Sequence, residues 1–252
     1  MRVLIRVAYD GTAYSGWQFQ PNAVTIEGRL REALKSLFGR ETDIIGASRT
    51  DAGVHALGNA AVFDVDTRIP AEKISYALNA RLPDDIRVCR SEEVAKDFHP
   101  RHTDCVKTYE YSIYNDKFEN PKKRLYSHFC YGKIDTGLMQ KAAPYFVGEH
   151  DFSAFCAAGS QVADKVRTVY SLDVSRDAKD ISIRITGNGF LYNMVRIIAG
   201  TLLKVGQGDM EPEMIERIIA SKDRQLAGPT APARGLTLME INFKELIPYG
   251  HV

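Results

Sequence analysis

The sequence predicts an α+β fold in which one strand–helix–strand–strand–helix–strand unit occurs twice. Three observations predict it. Alternating apolar runs mark half-buried strands. Apolar residues recurring three and four apart mark the helices between them. The order of the two kinds of run is the same in both halves of the chain. The composition permits such a fold: 252 residues, 44% hydrophobic and 26% charged, make an ordinary globular mixture. A chain of this length buries well over half of its unfolded surface and needs no disulfide or metal to fold.

Residues 2–9 alternate, with Val3, Ile5, Val7 and Tyr9 on one face, and the Asp10-Gly11 turn closes the strand. Thr25 caps a helix that carries Ile26, Leu30, Ala33, Leu34 and Leu37 on one side. A short strand (43–47) and a longer one (57–65) follow, joined by the segment Ser48–Ala56. Pro70 starts a helix with Ile74, Ala77 and Leu78, and Ile86–Arg90 is a strand. The order is β-α-β-β-α-β, the ferredoxin-like arrangement.

The second half repeats it. Cys105–Tyr114 alternates, with Lys107, Tyr109, Tyr111 and Ile113 on one face and Val106, Thr108 and Ser112 on the other. A helix spans about 135–146, and strands 166–175 and 181–187 form a hairpin around Arg176–Asp180. A helix covers 190–205, a second at 211–221 is inserted, and the last strand is 236–243. The boundary falls near His99–Asp104, which gives halves of 1–103 and 104–252. The halves share topology and not sequence.

Lys and Arg number 33 against 32 Asp and Glu, a net charge of +1. Long blocks of like charge are excluded, but a local cationic stripe is not. Cys89, Cys105, Cys130 and Cys156 include no CxxC pair, so a zinc ribbon and a thioredoxin-type dithiol are not expected. They read as reduced core thiols of a cytoplasmic protein. The N-terminal run is too short and too alternating for a signal peptide. The longest apolar stretch, Phe190–Val205, is interrupted by Asn193, Arg196 and Lys204, so no membrane span is expected.

The middle hairpin of the second half has a short polar turn, whereas that of the first has Ser48-Arg49-Thr50-Asp51-Ala52-Gly53-Val54-His55-Ala56. A long loop on a rigid sheet is where function tends to sit. Asp51 reads either as the start of an Asx turn completed by Gly53 or as a carboxylate acting as nucleophile or base. His55, in an Ala/Val/Leu-rich stretch, reads as a hydrogen-bonded core residue or as a ligand. Arg196 lies among Phe190, Met194, Ile197, Ile198 and Leu202, where an unpaired charge is costly, so it needs an acid partner or a route to the surface. Tyr109 is either core or a surface on which an extruded base stacks. Arg29, Arg31 and Lys35 on the first helix, and Lys122, Lys123 and Arg124, are solvated charges or a phosphate track. GxGxxG, P-loop, serine-nucleophile-elbow and HExxH patterns are absent from the sequence.

Five motifs in order carry a resemblance: SRTDAGVHALGN (48–59), KTYEYSI (107–113), GEHDFSAF (148–155), GNGFLYNMVRIIAGTLLKVG (187–206) and ARGLTL (233–238). Through them the chain resembles the TruA-type tRNA pseudouridine synthases from end to end. The resemblance implies a central sheet of the pseudouridine-synthase type, made of two ferredoxin-like halves with helices on one face and a cleft between the halves. It implies a homodimer with no metal and no organic cofactor, acting on tRNA at uridines 38–40 of the anticodon arm. By resemblance Asp51 is the nucleophile and Arg196 its partner, which favours the charged carboxylate. Arg49 displaces and holds the flipped nucleotide, Tyr109 stacks on the target base and Leu236 packs against its pocket. Two positions depart from the family pattern: Ser48 stands where Gly is usual, and Asn59 where Gln is usual.

Two readings of another class stand beside it. One is an RNA-binding module of the same fold without catalysis, which gains nothing from a carboxylate–Arg pair. The other is a metal-dependent hydrolase using Asp51, His55, His99 and His102.

Overall fold

The computed structural model describes residues 1–160 and 162–246. Strand β1 (Arg2–Tyr9) is followed by helix α1 (Ile26–Phe38), strands β2 (Ile44–Gly46) and β3 (His55–Asp64), helix α2 (Ile74–Asn79) and strand β4 (Ile86–Val94). Then come β5 (Cys105–Asn115), β6 (His128–Cys130), α3 (Thr136–Ala142), β7 (Gly148–Asp151), β8 (Val166–Asp177), β9 (Asp180–Gly187), α4 (Met194–Gln207), α5 (Met214–Ser221) and β10 (Leu236–Phe243). The chain is α+β; the predicted elements occur in the expected order in both halves, with β6 and β7 added in the second. Contacts divide it into two units, Met1–Cys105 with the chain from Leu238 onward, and Val106–Thr237. The expected ranges were 1–103 and 104–252. The difference is β10, which from Leu238 clusters with the first unit, where β3 is its neighbour.

In the first unit the strands run β4-β1-β3-β10, with β2 also paired to β3. β1 is antiparallel to both neighbours, with Ile5 opposite Ala61 on one side and Ser91 on the other. Its predicted inner face (Val3, Ile5, Val7, Tyr9) is buried, but so is Leu4, because a central strand is covered on both sides. Helix α1 starts where expected. Thr25 has an extended backbone, and its side chain accepts a hydrogen bond from the Gly28 N–H at 3.2 Å. Gly39, at φ 71°, ends it.

β4 runs four residues beyond the expected end, and it corrects the reading of the cysteines. Register slips between Arg6 and Val7, which lie opposite Arg90 and Val88. Cys89 falls in that bulge and is exposed, as an unpaired residue on a bent strand can be. Cys105 is half-buried; only Cys130 and Cys156 are core thiols. Burial pushes the Cys130 thiol up to about 11.

In the second unit the order is β5-β9-β8-β7, with β6 parallel to β5. β5 and β9 are antiparallel, with Tyr109 opposite Ile185 and Tyr111 opposite Ile183. β6 and β7, three and four residues long, are too short to leave a periodic trace in the sequence.

Helix α4 begins at Met194 and not at Phe190. The reason is Asn193, whose φ of 60° is left-handed and cannot lie inside a right-handed helix. Phe190 leaves the helix and meets the Tyr109 ring edge-on, with centroids 5.3 Å apart. Farther along, α4 takes the segment 228–231 against its backbone. The Gly228 N–H donates to Thr201 Oγ1 at 2.9 Å, and the Ala231 N–H donates to the Arg196 carbonyl at 3.1 Å. No helix among the described residues is long and apolar enough to cross a membrane.

Two consequences are measurable. A Cβ at Gly200 would stand 1.9 Å from the Pro229 carbonyl oxygen. Gly200→Ala must push this segment off α4, so urea unfolding should show a loss of about 1–3 kcal/mol. Asp151 ends β7 and accepts hydrogen bonds from the Ser153 N–H (3.0 Å) and hydroxyl (2.6 Å), while Lys222 lies 2.8 Å away. The Lys222 ammonium and then the Ser153 hydroxyl hold the Asp151 carboxyl at about 2, below its ordinary 3.8. A depressed acid stabilises above its unfolded value and stops doing so as pH falls through its folded value. Asp151→Asn should therefore cost about 1 kcal/mol at neutral pH, Lys222 being largely in water. The gap to wild type should narrow between pH 4 and 2 in unfolding curves.

Candidate active site

The loop between β2 and β3 is built on the turn that follows β1. Tyr14 anchors that turn: its hydroxyl donates to Asp85 at 2.7 Å, and burial together with this bond raises the phenol's pKa. The Trp17 N–H donates to the Thr50 carbonyl at 3.0 Å, and the Gly53 N–H to the Tyr14 carbonyl at 3.3 Å. The approach is close enough to need glycine. A Cβ at Gly11 would sit 2.0 Å from the Val54 oxygen, and Gly16, at φ 89°, lies against the Thr50 carbonyl. The Trp17 indole is fully buried and fills the space where a Cβ on Gly46 would be.

Side chains fix the other end of the loop. Tyr9 Oη and Thr50 Oγ1 share a hydrogen bond of 2.7 Å. Asn59, completely buried, donates from Nδ2 to Tyr9 Oη (3.2 Å) and to the Ser48 carbonyl (3.0 Å). Ser48 and Thr50 thus face inward, while Arg49 is exposed and Asp51 half-buried. The Val54 N–H donates to the Asp51 carbonyl at 3.1 Å and Gly53 takes φ 75°, so the turn at Asp51 is closed by main-chain atoms, and the Gly53 N–H that an Asx turn would use donates to the Tyr14 carbonyl instead. The carboxylate is carried on a backbone tied down on both sides, a pre-organised arrangement.

The departures from the family pattern find their places here. Ser48 keeps a negative φ, so its Cβ brings no backbone strain. Asn59 closes the base of the loop through its bonds to Tyr9 Oη and the Ser48 carbonyl. His55 Nδ1 lies 3.1 Å from the Gly11 N–H and 3.2 Å from Asp10 Oδ1, in the buried setting of a core histidine. The His99 and His102 rings stack on each other at 4.2 Å. Among the described residues, no three His, Cys, Asp or Glu side chains gather as a cation site.

Tyr109, Arg196 and Leu236 belong to the second unit. Tyr109 is buried on β5, its ring orientation set by Phe190. Tyr111, on the same strand face, is core as expected; burial raises its pKa, and its hydroxyl donates to the Pro232 carbonyl at 2.9 Å. That bond, with Gly235 packed on the Tyr111 ring, positions Leu236 at the start of β10. Arg196 sits in the first turn of α4. Its Nε–H donates to the Ala231 carbonyl at 2.7 Å and Nη1 to Asn193 Oδ1 at 2.8 Å.

The two basic groups differ from a bare cationic track. On α1, Arg29 pairs with Glu32 at 2.8 Å, Arg31 with Glu27 at 2.7 Å and Lys35 with Glu41 at 2.6 Å. Lys123 is bound to Asp180 and lies over the Tyr114 ring at 5.2 Å. Lys122 and Arg124 are exposed, with one Arg124 N–H on the Pro121 carbonyl.

Sequence reasoning did not single out Tyr9, Trp17 and Asn193 as site supports. The signals were present but ambiguous: Trp17 is the chain's one tryptophan, and Asn193 interrupts an apolar run.

A family model described as tRNA pseudouridine synthase matches residues 5–102 and 142–244. A tRNA pseudouridine synthase A of Thermoanaerobacter pseudethanolicus is 50% identical over 239 residues, covering 95% of this chain and 98% of its own. Relatives of the same description from Acetivibrio thermocellus and Bacillus pumilus are 48% and 44% identical over 241 and 244 residues. Each alignment covers 96% of this chain, and 99% and 98% of the respective relative. The matched segments contain the Asp51 loop, the Arg196 helix and Leu236, and by them the chain belongs to the tRNA pseudouridine synthase family.

Proposed function

We propose that this isomerase converts uridine to pseudouridine at positions 38–40 of the anticodon arm of tRNA. In this reading Asp51 is the nucleophile, and the enzyme works without metal or organic cofactor, as a homodimer in the cytoplasm. The observation that carries the reading is the loop itself. Ser48 and Thr50 are tied inward, and the half-buried Asp51 between Arg49 and Gly53 stands on a fixed backbone.

The chemistry suits a single carboxylate. The C1′–N1 bond breaks, the base rotates, C1′–C5 forms, and the proton lost from C5 is balanced by one gained at N1. The product is an isomer, so no electrons or energy carrier are needed. Asp51 acts ionised, whether it attacks C1′ or C6 or takes a ribose proton, and Arg196 is the cation that favours this form. The target must leave the helical stack at a cost of a few kcal/mol. Stacking on Tyr109 offsets roughly 1–3 kcal/mol of that, and Arg49 fills the vacated space. Leu236 supplies an apolar wall for the base.

The direct test is incubation with an unmodified tRNA transcript followed by mapping of pseudouridine. Product is expected at one or more of positions 38–40, and product confined to other positions would remove the anticodon-arm assignment. Asp51→Asn keeps the side-chain volume and removes the charge. It should abolish turnover while tRNA affinity changes less than about threefold, because binding rests mainly on phosphate contacts. Retention of activity within tenfold would sink the nucleophile assignment.

Binding should weaken steeply with salt despite the near-neutral chain. Lys122 and Arg124 are the exposed members of their cluster, so replacing both with Ala should flatten the log–log salt slope by about 1–2. A filter-binding titration from low to physiological salt reads this, and an unchanged slope would take these two residues off the RNA path.

A further inference from the structure

Asn193 has a backbone conformation that most side chains avoid, and it does not use its side chain as helix N-caps do. It stands directly before α4 at φ 60°, ψ 8°, and its side chain makes no capping hydrogen bond to the helix. Its Oδ1 instead accepts from Arg196 Nη1 at 2.8 Å. The left-handed conformation aims it there, because an extended N-cap would point its side chain at the N–H groups of the first turn. Non-glycine residues in this region are uncommon, and such strain gathers where position matters for function.

The second support of the same guanidinium is backbone. Arg196 Nε–H donates to the Ala231 carbonyl at 2.7 Å, and the Ala231 N–H returns a bond to the Arg196 carbonyl at 3.1 Å. The segment bearing Ala231 lies against α4 at Gly200 and is bonded at Thr201 Oγ1. Both acceptors are uncharged and engage opposite parts of the fork. A planar guanidinium held at Nε and Nη1 has lost its rotation about the last side-chain bonds. These two contacts are to neutral oxygens and fix the plane of the guanidinium without adding a counter-charge.

We propose that Asn193 is a positioning residue: it locks the Arg196 guanidinium in the orientation in which the arginine serves the reaction. The proposal rests on the reading of Arg196 as the partner of Asp51. Its distinguishing consequence is that stability and activity separate. Glycine adopts φ 60° without strain, so Asn193→Gly should unfold at the same or a higher denaturant concentration than wild type. The same variant should lose about tenfold or more in single-turnover rate at saturating tRNA, with tRNA affinity changed less than threefold.

The test is a double-mutant cycle read as single-turnover rate on one tRNA, using Asn193→Gly, Arg196→Lys and the double variant. Lysine keeps the charge but has no planar fork for Asn193 to hold. If Asn193 acts through Arg196, Asn193→Gly should cost less than about twofold in the Arg196→Lys background. A wild-type rate for Asn193→Gly overturns the proposal, as does an equal loss in both backgrounds. If Arg196→Lys and Arg196→Met both turn over like wild type, it is the role of Arg196 that fails. If both are slow while Asn193→Gly is fast, the proposal about Asn193 alone fails.

Discussion

The candidate site rests on backbone held against backbone, the segment 11–17 lying under the loop 48–54. Peptide groups meet there so closely that Gly11 and Gly16 have no room for a Cβ, and the Trp17 N–H bonds directly to the Thr50 carbonyl. The placement of the loop that carries Asp51 depends on this contact. Asp51 is on a loop, and a loop residue holds a reactive geometry only if the backbone beneath it cannot drift. Here turn, strand end and loop share one hydrogen-bonded set through Tyr9, Thr50, Asn59 and Ser48. The hydrophobic contribution is the Trp17 indole under Gly46, with the Tyr9 ring 5.9 Å away and tilted across it. Packing and polar bonds therefore act on the same few residues, and a loop that would otherwise move on fast timescales becomes an extension of the sheet.

The second unit solves a similar problem for a cation. A guanidinium on an apolar helix has to find hydrogen-bond acceptors or remain at the surface. Arg196 finds one acceptor from the segment lying on α4 and another from the residue that starts the helix. The small residues of the AGT stretch, 199–201, are what let that segment come close enough. Gly200 and Gly228 both approach main-chain atoms across the contact. A run that reads as a plain apolar helix is thus also a docking surface for 228–231, and the conformation of Asn193 follows from serving the guanidinium and not the helix.

The charges bear on how a chain of net charge +1 meets a polyanion. Most basic side chains on α1 are already matched by neighbouring acids, Arg31 with Glu27 one turn away and Lys35 with Glu41 beyond the helix end. Such exposed pairs add little stability, but they lower the local positive field. Lys122 and Arg124, on the segment between β5 and β6, are less compensated. Uncompensated positive charge is then a property of particular segments and not of the whole surface.

Much of this was legible in the sequence, and the reason is local. Strand alternation, the Thr25 cap, the turn at Asp10-Gly11 and the limits of β10 follow from residues a few positions apart, because period and capping are short-range effects. The family and the residues it assigns came from contiguous motifs, which a sequence displays whole. What it did not display were relations between segments distant along the chain. Cys89 is exposed because a register slip against β1 puts it in a bulge. The Phe190 end of the predicted helix lies outside α4 because Asn193 turns left-handed to reach Arg196. β10 clusters from Leu238 with the first unit because β3 is its neighbour there. In each case the deciding contact joins backbones that the folded chain alone brings together, and no periodicity within a window of residues carries that information.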